Sequence, residues 1–216
     1  MKNLKIKDNM SKIKLLDAAK MFAADKLNAY FEYEDYYCAT DSRLLIMVPK
    51  EQIPDDEITI KTDGMPDFSF VLKNQKLDNN VPVKLGDLIT KLNTVPMIDE
   101  YDDCYACDGD GKIECECCES IVDCKECDGS GQGSMTGKKE LDYNYHMKVL
   151  DYYLSVYIIH RLTTALVECG YTHDSELMIL SNDAPKPIIM EIDGIKIITV
   201  GTNYHAISPE NVIKVL

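Results

Sequence analysis

The chain has 216 residues with a net charge of −14, 45% hydrophobic and 28% charged. That is enough apolar content to bury a core, in one domain or two small ones at about 150 residues each. No apolar run approaches the roughly 20 residues of a membrane span. The opening Met1–Asp8 has neither the apolar stretch nor the small-residue cleavage site of a secretory signal. Membrane, secreted, fibrous and wholly disordered classes are set aside, and a cytoplasmic protein is expected.

Three segments are expected: 1–98 and 138–216 as two halves of an α+β body, and 99–137 as an insertion. In the first, Asn9 or Ser11 can cap a helix over Lys12–Ala24, with Leu15, Leu16, Ala19, Phe22 and Ala23 on one side. Leu27–Tyr33 alternates as a strand, Glu34-Asp35 suits a tight turn, and Tyr36–Thr40 and Arg43–Val48 read as further strands. Asp63-Gly64 marks a turn, Phe68–Leu72 a short strand and Val83–Leu92 a short helix. In the last segment Tyr145–Leu154 reads as a strand, and Ser155 can cap a helix ending at Gly170. Leu177–Leu180 follows as a strand. Ile188–Ile192 and Ile195–Val200 around Asp193-Gly194 form the clearest hairpin, because Asp-Gly suits a type I′ turn. Helix then antiparallel strands, seen twice, argues α+β.

The middle segment carries the chemistry. Seven of the nine cysteines lie between Cys104 and Cys127. Without an export signal, such clustering points to metal rather than disulfides. Cys104-Tyr105-Ala106-Cys107-Asp108-Gly109-Asp110-Gly111 recurs as Cys124-Lys125-Glu126-Cys127-Asp128-Gly129-Ser130-Gly131, two copies of Cys-x-x-Cys-x-Gly-x-Gly. Two thiolates three apart can grip one metal from a tight turn, and the glycines let the backbone N–H groups face the sulfurs. Two such knuckles complete the tetrahedral four-thiolate set that zinc prefers. The expected ligands of one Zn²⁺ per chain are Cys104, Cys107, Cys124 and Cys127. Cys115, Cys117 and Cys118 read as further thiols on the joining hairpin, with a degenerate half-site as the other option. Iron–sulfur ligation and a redox pair are minor alternatives. Cys38 and Cys169 read as ordinary buried thiols.

Residues 99–128 hold twelve acidic and two basic residues, net −10. Such a segment repels phosphate backbones, so a protein partner is expected there, with DNA left to the body. Gly129, Gly131, Gly133 and Gly137 are expected to make its exit flexible.

The paired knuckles resemble the cysteine-rich zinc region of DnaJ-type chaperones over about residues 104–131. Those proteins carry four such repeats and two zincs; two repeats here imply one. None of His146, His160, His173 or His205 is followed by Pro-Asp, so the J-domain signature and its chaperone partner do not transfer. A second resemblance lies in Leu27–Leu44, where Ala39-Thr40-Asp41 and Arg43-Leu44 are similar to a stretch of the bacterial sliding clamps, the DNA polymerase III β subunits. One residue of the family pattern is missing between Asp41 and Arg43. The strands Glu176–Leu180 and Ile188–Val200 are similar in outline. This implies a clamp-like body with two helices, in which so short a chain would close a ring only as a homo-oligomer, and a place in DNA replication.

No catalytic or cofactor-binding residues are expected beyond the metal ligands. The four histidines are scattered, Asp41 beside Arg43 reads as an ion pair at a strand end, and no phosphate loop or nucleophile elbow occurs. Four thiolates leave no open position for water, so the metal is structural. The expected function is a zinc-binding, non-enzymatic binding or scaffold protein. The alternatives are a chaperone-like binder of unfolded chains, and an enzyme braced by zinc.

Overall fold

The computed structural model describes residues 12–20, 28–54, 58–61, 77, 80–115, 120–180, 187–199, 201 and 207–215. The chain divides into two compact units, Met1–Thr94 with Tyr143–Leu216, and Val95–Asp142 between them.

The first unit is built on a seven-stranded antiparallel sheet. Its strands in chain order are β1 (Phe31–Tyr33), β2 (Tyr36–Thr40), β3 (Leu44–Pro49) and β4 (Val81–Lys84), then β11 (Glu176–Ile179), β12 (Ile188–Ile192) and β13 (Ile195–Thr199). They lie side by side as β1-β2-β3-β13-β12-β11-β4. The run Leu44-Leu45-Ile46-Met47-Val48 is buried at every position, which a strand covered on both faces requires. On one face Phe31, Cys38, Leu45, Met47, Ile189 and Ile198 form a single cluster, with Ala29, Tyr33 and Tyr36 packed against it. Cys38 and Cys169 are both buried free thiols. Burial pushes the Cys38 thiol up to about 12, so it behaves as a small hydrophobe.

The type I′ turn between β12 and β13 has both residues left-handed, Asp193 at φ 49° and Gly194 at φ 78°. Glu34 turns β1 into β2 at φ 50°. Residues 12–20 are helical (α1), with Leu15, Leu16 and Ala19 buried. Residues 21–27, and with them Phe22, Ala23 and Leu27, lie outside the described residues, as do Asp63-Gly64 and Phe68–Leu72.

Several expectations need correction. Val83 and Lys84 belong to β4, paired with Leu177 and Glu176 of β11, and the helix α2 begins only at Leu85 (Leu85–Leu92). Tyr145–Leu154 is not one strand but a hairpin, β9 (His146–Val149) and β10 (Tyr152–Ser155), turned at Leu150 with φ 54°. A strand that the sequence pattern does not single out, β14 (Val212–Lys214), pairs with β9 in parallel. The helix α3 (Val156–Glu168) does follow Ser155, but the Ser155 side chain makes no capping bond. The first helical amide, Val156 N–H, instead donates to the Tyr145 carbonyl. At its far end Gly170 (φ 89°) donates to Val167 O and Tyr171 donates to Leu166 O, the pair of bonds that closes a helix through a left-handed glycine.

The described residues of the second unit form no such sheet. β5 (Met97–Asp103) pairs with β8 (Gln132–Leu141), and β6 (Lys112–Glu114) pairs with β7 (Ile121–Asp123). The exit from the second knuckle is therefore a ten-residue strand containing Gly133 and Gly137, not the flexible segment its glycines suggest. Among the described residues, no helix is long and apolar enough to cross a membrane.

Candidate metal centre

Each knuckle leaves a strand, turns through a left-handed pair, and returns. Asp108 (φ 48°) and Gly109 (φ 85°) make the first turn, and Asp128 (φ 49°) and Gly129 (φ 77°) repeat it. Within each, the second glycine of the pair aims its amide at a sulfur: Gly111 N–H donates to Cys107 Sγ and Gly131 N–H to Cys127 Sγ, both at 3.2 Å. The knuckles also clasp each other. Cys104 N–H donates to Gly131 O and Cys124 N–H to Gly111 O, both at 2.8 Å. Sequence spacing anticipates the amide-to-sulfur bonds; this crosswise pair it does not.

The clasp explains why glycine stands at 111 and 131. A Cβ at Gly111 would lie 2.3 Å from Gly129 O, and one at Gly131 would lie 2.1 Å from Gly109 O. Both positions also have positive φ, so a side chain there meets steric and conformational cost together.

The result is one cluster of four sulfurs. Cys104 Sγ and Cys124 Sγ are 3.9 Å apart, Cys107 Sγ and Cys127 Sγ 3.8 Å apart, and all four lie within 4.8 Å of one another. A disulfide would need about 2.05 Å, and the four cysteines are free. Four thiolates bound tetrahedrally at the zinc–sulfur length of about 2.3 Å stand about 3.8 Å apart. The donor set fits such an ion. Burial, with the neighbouring thiols, pushes the Cys107 thiol up to about 12 against the Gly111 amide, which favours the thiolate. At Cys127 burial also opposes ionisation, but the Gly131 amide and the other sulfurs outweigh it and bring the thiol down to about 7. Cys115 lies at the end of β6, its amide donating to Ser120 O; Cys117 and Cys118 lie outside the described residues.

The remaining candidates do not join this cluster. Asp41 is not paired with Arg43, as its sequence neighbour suggests. Its Oδ2 accepts from Arg161 Nη1 at 2.6 Å, the side chains only 2% and 6% exposed. Its Oδ1 accepts the amides of Arg43 and Leu44, both at 2.9 Å. Arg161 in turn donates to Ala18 O of α1. The pair ties the β2–β3 loop to α3 and α3 to α1, a structural junction. His146 and His160 are half-buried, and burial lowers the pKa of both. His160 Nδ1 lies 3.4 Å from Tyr143 Oη, beside a groove of about 520 Å³ lined by Lys14, Asp17, Tyr143, Tyr157 and Arg161 among others. His205 and Asp55-Asp56-Glu57 lie outside the described residues.

No family model matches the chain, and no curated protein matches it. Solved structures similar to it include bacterial sliding clamps. That of Bartonella birtlesii, bound to griselimycin, is 14% identical at a TM-score of 0.43 over 89% of this chain. That of Helicobacter pylori, bound to a DNA ligase peptide, is 10% identical at 0.44 over 91%. The β subunit of DNA polymerase III from Thermotoga maritima is 12% identical at 0.44 over 90%. The chain spans 63–64% of the length of these clamps.

Proposed function

We propose that this chain is a zinc-binding, non-enzymatic binding protein, in which Cys104, Cys107, Cys124 and Cys127 hold one Zn²⁺ and the acidic hairpin meets a protein partner. What carries this is the four-sulfur cluster, spaced as a tetrahedral thiolate site requires. All four positions are filled by protein, so water has no place to be activated and the site is structural. Bound zinc supplies a cross-link between the knuckles. The chain's own residues do the rest: the Gly111 and Gly131 amides favour the thiolates, and the crosswise Cys104 and Cys124 amides set the knuckles face to face.

Native mass spectrometry of the purified protein tests this. One zinc per chain is expected, lost to a strong chelator together with the order of residues 104–131. A metal-free protein, or one carrying an iron–sulfur cluster, refutes it.

For the body we propose a sliding-clamp-like role in DNA replication. Its support is the stretch Ala39-Thr40-Asp41 with Arg43-Leu44, whose Asp41 organises the β2–β3 loop. The same spectrum reports subunit number. A closed oligomer that stays on nicked circular DNA and slides off linear DNA is expected; a monomer without DNA retention refutes the clamp role and leaves the zinc assignment standing.

A further inference from the structure

Eight of the ten large apolar side chains exposed among the described residues lie in the second unit. Ile121, on β7, is 74% exposed. β6 and β7 form a two-stranded sheet of their own, so among the described residues no third strand covers the outer edge of either.

The register shows what that edge offers. Cys124 N–H donates to Gly111 O, and Cys115 N–H donates to Ser120 O. These are hydrogen-bonded pairs of an antiparallel ladder, and such pairs recur every second residue. Ile113 and Val122, opposite each other between them, are therefore the next such pair. Glu114 with Ile121 and Lys112 with Asp123 are the wide pairs, so the main-chain groups of Ile121 and Asp123 point outward along β7. Natural proteins protect such edges with charge or cover. At its outward positions β6 carries Lys112 and Glu114, both charged, whereas β7 carries Asp123 and the exposed Ile121.

We propose that the outer edge of β7 receives an extended segment of a partner protein as an added strand, and that this segment is basic and apolar in alternation. Main-chain bonds to Ile121 and Asp123 give the docking, and an apolar residue of the segment covers the Ile121 side chain. Charge decides the partner. Residues 99–128 carry a net −10, which favours lysine- or arginine-bearing chains and repels nucleic acid. This rests on the reading that the hairpin meets a protein, and it names the strand and the chemistry that do so.

The probe is a fluorescein-labelled octapeptide of alternating lysine and valine, added to the zinc-loaded full chain and followed by anisotropy. Its glutamate–valine counterpart and a lysine–valine version N-methylated at alternate residues serve as controls. The basic peptide is expected to bind with affinity that falls as salt rises, the acidic one not to bind, and N-methylation on the bonding edge to abolish binding. Ile121→Ser is expected to weaken it roughly tenfold, the scale of one buried aliphatic side chain, with zinc content unchanged. Binding untouched by both N-methylation and Ile121→Ser, yet lost on Glu114→Gln with Asp123→Asn, overturns strand addition while the hairpin remains a protein contact. No binding of the basic peptide at any salt overturns both.

Discussion

Asp41→Asn is the substitution whose cost the structure states most directly. The amide keeps an oxygen for the Arg43 and Leu44 N–H groups but removes the charge facing Arg161, whose Nη1 stands 2.6 Å from Asp41 Oδ2 with both side chains almost wholly buried. Removing one partner of a buried pair leaves the other desolvated and uncompensated, at about 3–5 kcal/mol. Asp41→Ala also removes the acceptor of two amides, each bond to a charged acceptor being worth about 1.5–3 kcal/mol. For a body of this size, each kcal/mol lowers Tm by about 2–4 °C, so Asp41→Asn should lose about 6–12 °C at the lower estimate. Thermal and urea unfolding with excess zinc, both followed by circular dichroism, measure the Tm loss and the free-energy cost. Replacing both partners by apolar residues, Asp41→Leu with Arg161→Met, should recover much of the loss, because no orphan charge remains. If Asp41→Asn costs under about 1 kcal/mol, the range of an exposed pair, the junction is not what holds the β2–β3 loop to α3.

Gly131→Ala places a methyl 2.1 Å from Gly109 O at a positive φ, so zinc affinity in a chelator competition should fall at least tenfold while the urea midpoint of the body stays in place. Cys124→Ser should raise amide exchange across residues 104–131 and leave the protected amides of β2, β3, β12 and β13 unchanged; exchange rising through the whole chain would refute separate stabilisation. Burial lowers the pKa of His146 and His160, so below about pH 6.5, the unfolded value, the unfolded chain binds more protons than the folded one. Stability should therefore be full above that pH and decline as pH falls through it. His160→Gln should flatten the decline; an unchanged slope would show that His160 does not contribute.

Where a local chemical signal sets the structure, the sequence is transparent. Asp193-Gly194 adopts the two left-handed residues its type I′ turn needs, Gly170 closes α3, and the repeated cysteine–glycine spacing brings the four sulfurs together. Where the determinant is distant, it is not. α2 starts at Leu85 because Leu85 and Gly86 donate to the carbonyls of Ser175 and His173, a cap made by another part of the chain, so nothing near Lys84 marks the boundary. Leu150 turns β9 into β10 with φ 54°, and a leucine carries no turn signal. Arg43 stands beside Asp41 in sequence, yet the partner is Arg161, 120 residues away. Gly133 and Gly137 suggest a flexible exit, but they sit at irregularities within β8, whose residues on either side of them pair with β5.

The two units are stabilised by different physics, and each is expected to fail separately. The first buries leucine, isoleucine and valine across the central strands of a seven-stranded sheet. In the second, the buried cluster among the described residues consists of Cys104, Cys107 and Cys124 with Cys127 against it, while eight of its large apolar side chains are exposed. A unit of this size with an interior of sulfur cannot offset chain entropy by apolar burial. Its electrostatics oppose closure as well, since a net −10 segment must fold on itself and the proposed four thiolates around one divalent cation would add two further negative charges. Without metal, both terms disfavour the compact state. On the proposed zinc assignment, metal binding and local folding form a single equilibrium in this unit, and its acidic, apolar surface is expected only while the sulfurs are held together.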